Sequence, residues 1–188
     1  MRAMVLLGIN AGLGNTDCAE LRTGHLDLKA GTLDYRRPKT DAPRRAVLWS
    51  ETVKALRDAL ARRERLLERG GVPPELADRI FLTKRRRPYV SLSAAGKPVD
   101  TVGMEFRRLA AVCGVHRPGL GFYALRHTFQ TVADETRDFP AIDLVMGHVP
   151  DADQMSARYR ERISDERLTA VATRVYTWLF GGVKVKRR

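Results

Sequence analysis

The stretch that decides the fold is Ala124-Leu125-Arg126-His127-Thr128-Phe129, which is followed by Gly147-His148 and then by Ala157-Arg158-Tyr159-Arg160. An arginine near the start of a predicted helix can hold phosphate oxygens in a two-pronged, charge-assisted contact. A histidine can donate to another oxygen or transfer a proton. A tyrosine hydroxyl can attack phosphorus and hold a covalent intermediate. Together these side chains predict a site that cleaves a phosphodiester bond with a side-chain nucleophile.

Each of these residue types also has an ordinary structural interpretation when it is taken alone. A helix-start arginine is commonly a solvated charge, a single histidine is commonly structural, and a tyrosine commonly lies at the edge of a core. Order and spacing separate the two interpretations, since Tyr159 follows His148 by eleven residues. The three runs resemble the H-x-L-R-H-T-F, L-G-H and R-Y runs at the catalytic end of the tyrosine recombinase (phage integrase) family.

The front of the chain resembles the same family. Residues 12–22 resemble its G-L-R-x-S-E-L-x-x-L-R helix, with Asp17 where a glutamate is usual. Pro38-Lys39-Thr40-Asp41 resembles the hairpin that carries the family's catalytic lysine. The resemblance extends from about residue 5 to about residue 165. It implies an α+β fold, in which a mostly helical catalytic domain carries a small antiparallel sheet.

The resemblance implies catalytic roles for Lys39, Arg126, His148 and Tyr159. In the family, the tyrosine attacks the scissile phosphate and leaves a 3′-phosphotyrosyl link with a free 5′-hydroxyl. A second 5′-hydroxyl then displaces the tyrosine, so the bond energy is retained and no cofactor is needed. The attack builds charge on the phosphate oxygens, which is why cationic donors must already be in place. The leaving 5′-oxygen needs an acid, and the hairpin lysine has that role in the family.

Two positions depart from the family pattern. Gly14 stands where the first catalytic arginine follows Gly-Leu, and Tyr123 stands where the family has the first histidine of H-x-x-R. Tyr123 can donate one hydrogen bond but brings no positive charge, and it is retained as a catalytic candidate. Arg22 matches a second arginine of many members and is no replacement. Losing one preorganised donor costs about 10²–10³ in rate.

Three hypotheses remain open at the level of sequence. The first is a DNA recombinase or integrase whose phosphate pocket is completed by Arg158, by Arg160 or by another chain. Without such a replacement for the arginine missing at Gly14, its activity is expected to be attenuated. The second is a DNA-binding remnant that keeps the fold and cuts little or no DNA. The third is a basic nucleic-acid-binding protein with an accidental resemblance. A type IB topoisomerase would share the tyrosine chemistry, but the LRHTF and MGH runs favour a recombinase.

Charge predicts a polyanionic partner. The 188 residues include 34 Lys and Arg against 22 Asp and Glu, a formal net charge of +12. Double-stranded DNA is the expected partner, although a basic soluble or ribosome-associated protein has a similar balance. Four adjacent cations, Lys84 to Arg87, suit a phosphate-tracking loop or a solvated charge run. The residues predicted to contact DNA are Arg37, Arg44, Arg45, Lys84, Arg85, Arg86, Arg87, His127 and Arg158.

The cysteine, histidine and hydropathy patterns argue against a disulfide-stabilised, a metal-binding and a membrane-spanning protein. Cys18 and Cys113 are far apart and lack CxxC spacing, which fits a reducing compartment and predicts a cytoplasmic protein. The four histidines show no metal-ligand spacing, so no metal or other cofactor is predicted. No apolar run is long enough to predict a membrane span.

Periodicity predicts the main elements. Residues 3–12 and 51–69 are expected to form helices, residues 25–49 strands, and Ile80-Phe81-Leu82-Thr83 a short strand. Asp100 is expected to cap a helix to about Cys113. The residues expected to face inward from that helix are Val102, Phe106 and Leu109.

Two further helices are expected in the second half of the chain. The apolar stripe of Leu125, Phe129 and Val132 predicts that Arg126 points away from the core face of its helix. Ser164 is a candidate cap for the last helix, in which Ile163 and Leu168 form a candidate hydrophobic staple.

The expected organisation is one catalytic domain over residues 1–180 and a basic tail over residues 181–188. The family usually carries a helical core-binding domain before this part, and the chain is expected to lack it. The family recombines DNA as a tetramer, so a homo-oligomer on DNA is expected. The apolar helix from about Leu168 to Phe180 either docks on a neighbouring copy or packs on its own domain.

Overall fold

The computed structural model describes residues 1–37, 40–148 and 163–181. Helices dominate these residues, and the short strands form two small antiparallel sheets. The predicted α+β class is therefore confirmed. The helices are α1 (Arg2–Ala11), α2 (Asn15–Glu20), α3 (Ser50–Glu68), α4 (Thr101–Val112), α5 (Ala124–Ala133), α6 (Phe139–Met146) and α7 (Asp165–Phe180). The strands are β1 (Leu26–Asp27), β2 (Thr32–Asp34), β3 (Arg45–Val47), β4 (Val90–Leu92) and β5 (Pro98–Asp100).

The first sheet follows the order β1-β2-β3, and each neighbouring pair is antiparallel. Its central register pairs Leu33 with Ala46, and both side chains are buried. Because strand side chains alternate between faces, this pair turns the sheet's inner face toward the helical core. The Tyr35 amide donates to the Arg44 carbonyl at 2.9 Å, which extends the pairing one step beyond β2 and β3.

Helix α1 lies at the centre of the core and packs against α3, α5 and α7. Met4 and Leu7 are fully buried in it. The helix ends at Gly12, whose left-handed φ of 61° suits glycine. A side chain at Gly12 would also meet Phe129 of α5 at 3.1 Å. This close approach brings the C-terminal end of α1 against α5.

The predicted strand over Ile80 to Thr83 is wrong. These residues are mostly buried, but they form no strand in the described chain. The Ile80 amide donates to the carbonyl of Leu21, and Arg79 forms an isolated bridge with Arg22. The run from Ile80 to Thr83 is apolar because the core covers it, although no neighbouring strand among the described residues pairs with it. The β4–β5 hairpin, which is more polar and more exposed, was missed by the sequence pattern.

Helix α4 confirms its predicted cap and corrects its predicted inner face. The Asp100 side chain accepts from the Gly103 amide at 3.0 Å. Val102 is fully buried and Phe106 packs against the core, whereas Leu109 is 39% exposed. Ala110 is the buried residue of the last turn. The inner face thus follows steps of four residues, which carries it past Leu109.

Helix α7 packs its first three turns on the domain. Leu168, Val171 and Val175 are buried, and Trp178 and Phe180 are partly exposed near its end. Ser164 occupies the capping position, but its side chain makes no capping hydrogen bond. The described helices include none with the length and apolar composition needed to cross a membrane.

Candidate active site

Arg126 is buried beneath the ends of two helices. It is only 2% exposed, so the prediction that it points away from the core is wrong. Its Nη1 donates to the Gly12 carbonyl at 2.6 Å, and its Nη2 donates to the Met146 carbonyl at 3.0 Å. Gly12 follows the last turn of α1, and Met146 ends α6. Carbonyls at helix C-termini lack partners within the helix and carry partial negative charge, which compensates the buried guanidinium.

The electrostatic surroundings of Arg126 are strongly positive. Burial is the first cause that lowers the pKa of Arg126, and the charges of Arg44 and Arg37 are the next. Arginine remains charged at neutral pH even so, because its ordinary pKa lies far above neutrality. Arg37, Arg44 and Arg126 are called the arginine cluster below.

His148 is held at both of its ring nitrogens. Arg126 Nη2 lies 2.9 Å from Nε2, and Asp143 Oδ1 lies 3.2 Å from Nδ1. An arginine can only donate, so Nε2 accepts, and the proton is on Nδ1, which donates to Asp143. The backbone supports this placement, since the His148 amide donates to the Asp143 carbonyl at 3.0 Å. Gly147 makes the turn between them with a left-handed φ of 62°.

Arg44 connects the sheet to the same helix end. It is fully buried, and its Nη2 donates to the Met146 carbonyl at 2.7 Å. Its Nη1 lies 3.1 Å from Asp17 Oδ2, and its guanidinium carbon lies 5.8 Å from the ring centroid of Tyr35. Arg44 was predicted to contact DNA. Its burial and its bonds give it a structural position behind the site.

Asp17 is the carboxylate that faces the arginine cluster. It is buried on α2, at the position where the family pattern has a glutamate. Its Oδ2 accepts from the Gly14 amide at 2.9 Å, and its Oδ1 lies 3.9 Å from Arg37 Nε. Asp17 therefore joins the start of α2 to the arginine cluster.

The two departures from the family pattern lie against each other. A Cβ built on Gly14 would be 3.4 Å from Cε2 of Tyr123, an ordinary van der Waals contact. Tyr123 precedes α5, is 46% exposed and packs edge-on against His127 with ring centroids 4.9 Å apart. The aromatic ring thus lies beside the place where an arginine side chain at position 14 would begin.

Several predicted contact residues lie apart from the arginine cluster or are bound elsewhere. Arg45 donates to both carboxylate oxygens of Asp165 at 2.7 Å, and this hydrogen bonding is the main cause that raises the pKa of Arg45. Arg22 donates to Asp78 at 2.6 and 2.7 Å, which agrees with the view that it does not replace the arginine missing at Gly14.

The turn of Lys84 to Arg87 lies on the surface. Lys84, Arg85 and Arg87 are exposed, and Arg86 has a positive φ of 58° with its guanidinium near Gly71. No hydrogen bond or ion pair joins this turn to the arginine cluster among the described residues. Lys39, Arg158, Tyr159 and Arg160 lie outside the described residues.

Sequence reasoning missed the two carboxylates of the site. Asp17 was noticed only as a variant of the family's glutamate, and Asp143 was not singled out. Asp143 precedes His148 by five residues on the last turns of α6, a spacing that can place a partner beside a histidine after a left-handed glycine. In the part of the chain that the structure describes, no group of three or more His, Cys, Asp or Glu side chains could hold a metal ion.

Comparisons with solved structures identify the fold. The chain is similar to XerA recombinase at 23% identity and a TM-score of 0.60, covering 91% of this chain and 56% of that one. It is similar to the Tn1549 transposon integrase in complex with transposon right-end DNA at 17% identity and a TM-score of 0.58, covering 93% and 58%. It is also similar to XerH site-specific recombinase bound to difH substrate at 21% identity and a TM-score of 0.57, covering 92% and 46%.

The chain thus spans about half the length of these proteins. Neither the family models nor the curated proteins give a match. The described residues have the fold of the catalytic domain of tyrosine recombinases.

Proposed function

We propose that this chain is the catalytic domain of a DNA strand transferase of the tyrosine recombinase type, acting in site-specific recombination or integration. The observation that carries the proposal is the contact between Arg126 and His148 at 2.9 Å, in a positively charged site within a recombinase fold. Two of the similar structures are DNA complexes of a transposon integrase and a site-specific recombinase. Double-stranded DNA is accordingly the proposed partner.

In the proposed reaction, the Tyr159 oxygen forms a bond to the scissile phosphorus as the bond from phosphorus to the 5′-oxygen breaks. Tyrosine titrates near pH ~10, so its proton must leave during the attack. Lys39 gives a proton to the departing 5′-oxygen, Arg126 holds a phosphate oxygen, and His148, whose Nε2 accepts from Arg126, orients that guanidinium. A 5′-hydroxyl then attacks phosphorus and releases the tyrosine. Because the guanidinium is positioned before DNA arrives, it stabilises the developing charge without reorganising.

We also propose limits and an assembly for the domain. We assign residues 1–180 to the catalytic domain and 181–188 to a basic tail. Assembly as a tetramer on DNA, through the partly exposed end of α7, follows from the resemblance. A cytoplasmic location fits Cys18 and Cys113, which are free in the structure.

The proposed function predicts a covalent adduct that depends on Tyr159. A pool of labelled DNA duplexes, each carrying one nick and a randomised flanking sequence, would be incubated with the protein and separated under denaturing conditions. The wild-type chain is expected to form a protein–DNA adduct, and Tyr159→Phe is expected to form none, since it lacks the attacking oxygen.

Tyr176→Phe is the matched control. The Tyr176 hydroxyl donates to Glu51 at 2.9 Å, so this change removes a tyrosine oxygen from α7 without touching the arginine cluster. Adduct formation should persist in Tyr176→Phe. An adduct that survives Tyr159→Phe would contradict the assigned nucleophile.

A second candidate function, DNA binding without cleavage, is favoured by the residues at positions 14 and 123, which are both uncharged where the family pattern has an arginine and a histidine. Gly14 brings no cation to a position where the family has one. Salt-sensitive DNA binding without an adduct in the wild-type chain, together with an adduct in Gly14→Arg, would favour this candidate. An adduct in the wild-type chain would exclude it.

A further inference from the structure

The arginine cluster has more positive charge than its surroundings compensate. Three guanidiniums face one carboxylate, Asp17, so the formal charges of these four side chains sum to +2 (three minus one), which the helix-end carbonyls offset only with partial charges. Burying an unpaired charge is costly, and a protein usually pairs it or leaves it a partner to bind. The imbalance is therefore expected where an anion binds.

Two members of the arginine cluster are held by backbone carbonyls of the protein. Arg126 donates to the carbonyls of Gly12 and Met146, and Arg44 donates to Met146 and faces Asp17. Arg44 is also fully buried and so cannot reach a ligand without a rearrangement of the core. The contacts of Arg126 use three of its five N–H donors, so Arg126 can still bind an anion. The unpaired Nε and Nη1 of Arg44 are buried, which leaves Arg37 as the partly exposed member with the most free donors.

Arg37 makes no side-chain hydrogen bond with the described residues. Its Nε is buried and unpaired, and its nearest carboxylate, Asp17, is 3.9 Å away. Its side chain is 19% exposed, which places it at the rim of the site instead of inside the core. Its Cβ and Cδ lie 3.4 and 3.5 Å from a Cβ built on Gly147, so it borders the turn that carries His148.

Arg37 and Gly14 contact the same carboxylate. The Gly14 amide donates to Oδ2 of Asp17, and Arg37 Nε lies nearest to Oδ1. An arginine at position 14 would start from α2, whereas Arg37 reaches Asp17 from the segment after β2. The two positions thus reach the same carboxylate from different elements.

We propose that Arg37 supplies the second phosphate-binding guanidinium of this site, in place of the arginine that is missing at Gly14. This inference rests on the proposed function and names the residue that completes its phosphate pocket. Arg37 and Arg126 then hold two different non-bridging oxygens, and Asp17 keeps Arg37 oriented. The site needs no cation from another chain.

The first test compares Arg37→Ala with Arg36→Ala in the adduct assay described above. Arg36 is the adjacent arginine, but it is 66% exposed and pairs with Asp41 on the surface, so it is a matched charge control. Arg37→Ala should lower the rate of adduct formation by about 10²–10³. Arg36→Ala should retain the wild-type rate within about threefold, because exposed pairs contribute little.

The second test is a rescue by relocation. A Cβ at Gly14 makes only ordinary contacts, and its φ of −85° suits any residue. The double variant Gly14→Arg/Arg37→Ala should form the adduct at least about tenfold faster than Arg37→Ala alone, which recovers part of the rate lost with one donor. A merely structural role for Arg37 would leave the double variant as slow as the single one, and that result, or equal rates for Arg37→Ala and Arg36→Ala, would overturn the proposal.

A third measurement separates this inference from the proposed function. If the wild-type chain forms no adduct, the proposed strand-transfer activity is contradicted. The role of Arg37 in binding phosphate is then tested by anion binding alone. Inorganic phosphate, compared with chloride at equal ionic strength, should raise the melting temperature of the wild-type chain and of Arg36→Ala. Arg37→Ala should lose that increase. An equal increase in all three proteins would overturn the proposal whether or not DNA is cut.

Discussion

His148 is fixed by its neighbours in one tautomer. Arg126 donates to Nε2, so the proton lies on Nδ1, where Asp143 accepts it. We expect imidazole ¹⁵N spectra at about pH 8 to show the Nδ1–H form for His148. Exposed His116, which has no hydrogen-bond partner among the described residues, is the internal reference. A predominantly Nε2–H form at His148 would show that the contact with Arg126 does not exist in solution.

The sequence predicted the identity of these side chains better than their environment. Spacing between motifs identified Arg126 and His148 as a pair. The apolar stripe of α5 could not reveal that Arg126 is buried, because the carbonyls that compensate its charge come from α1 and α6. Such compensation depends on tertiary contacts with residues 114 and 20 positions away in the sequence, and no local pattern contains it.

At the scale of elements, the end of α6 is where the backbone itself shapes the site. Gly147 has a left-handed φ of 62°, and a Cβ there would lie 3.1 Å from Arg44 Nε. We expect Gly147→Ala to destabilise the domain by about 1–2 kcal/mol from the backbone alone, plus a cost for moving Arg44. The melting temperature should fall by about 2–4 °C for each kcal/mol.

Gly114→Ala provides the control for this prediction. Gly114 has a φ of 70°, and nothing lies within 4 Å of a Cβ built there, so this variant measures the backbone cost alone. Gly147→Ala should be the less stable of the two in thermal or urea unfolding. Equal losses would mean that Arg44 adjusts to the added methyl group at no cost.

Element prediction succeeded where one face of a segment is apolar and failed where burial has another cause. Helix α3 is amphipathic and was predicted to within a residue at each end. Residues 80–83 are apolar because the core covers them, although they pair with no strand. The β4–β5 hairpin alternates little in burial, and only Gly96, at the turn with a φ of 71°, marks it in the sequence.

At the scale of the whole molecule, the net charge of +12 should dominate the affinity for DNA. With four phosphate contacts, the association constant is expected to fall by about 10² between about 50 and about 200 mM salt. Replacing Lys84, Arg85 and Arg87 by glutamine should reduce the slope of log K against log salt by about 2–3. Fluorescence anisotropy with a labelled duplex measures both.

A matched triple variant tests whether this turn binds DNA or merely adds charge. Arg62, Arg65 and Arg69 are exposed cations at the end of α3 and just after it, and replacing them by glutamine removes the same charge. The slope should change less than in the turn variant. If the two triple variants lose the same slope, the turn contributes only general charge and the predicted DNA contacts there are wrong.

The carbonyls that hold Arg126 come from distant parts of the chain. Gly12 and Met146 are 134 residues apart (146 minus 12), and both must be in place before the guanidinium is oriented. Under the proposed function, a nascent or partly unfolded chain has its nucleophile but no organised phosphate pocket. Under that same proposal, cleavage competence would depend on completed folding, and an incomplete copy of the chain would not nick DNA.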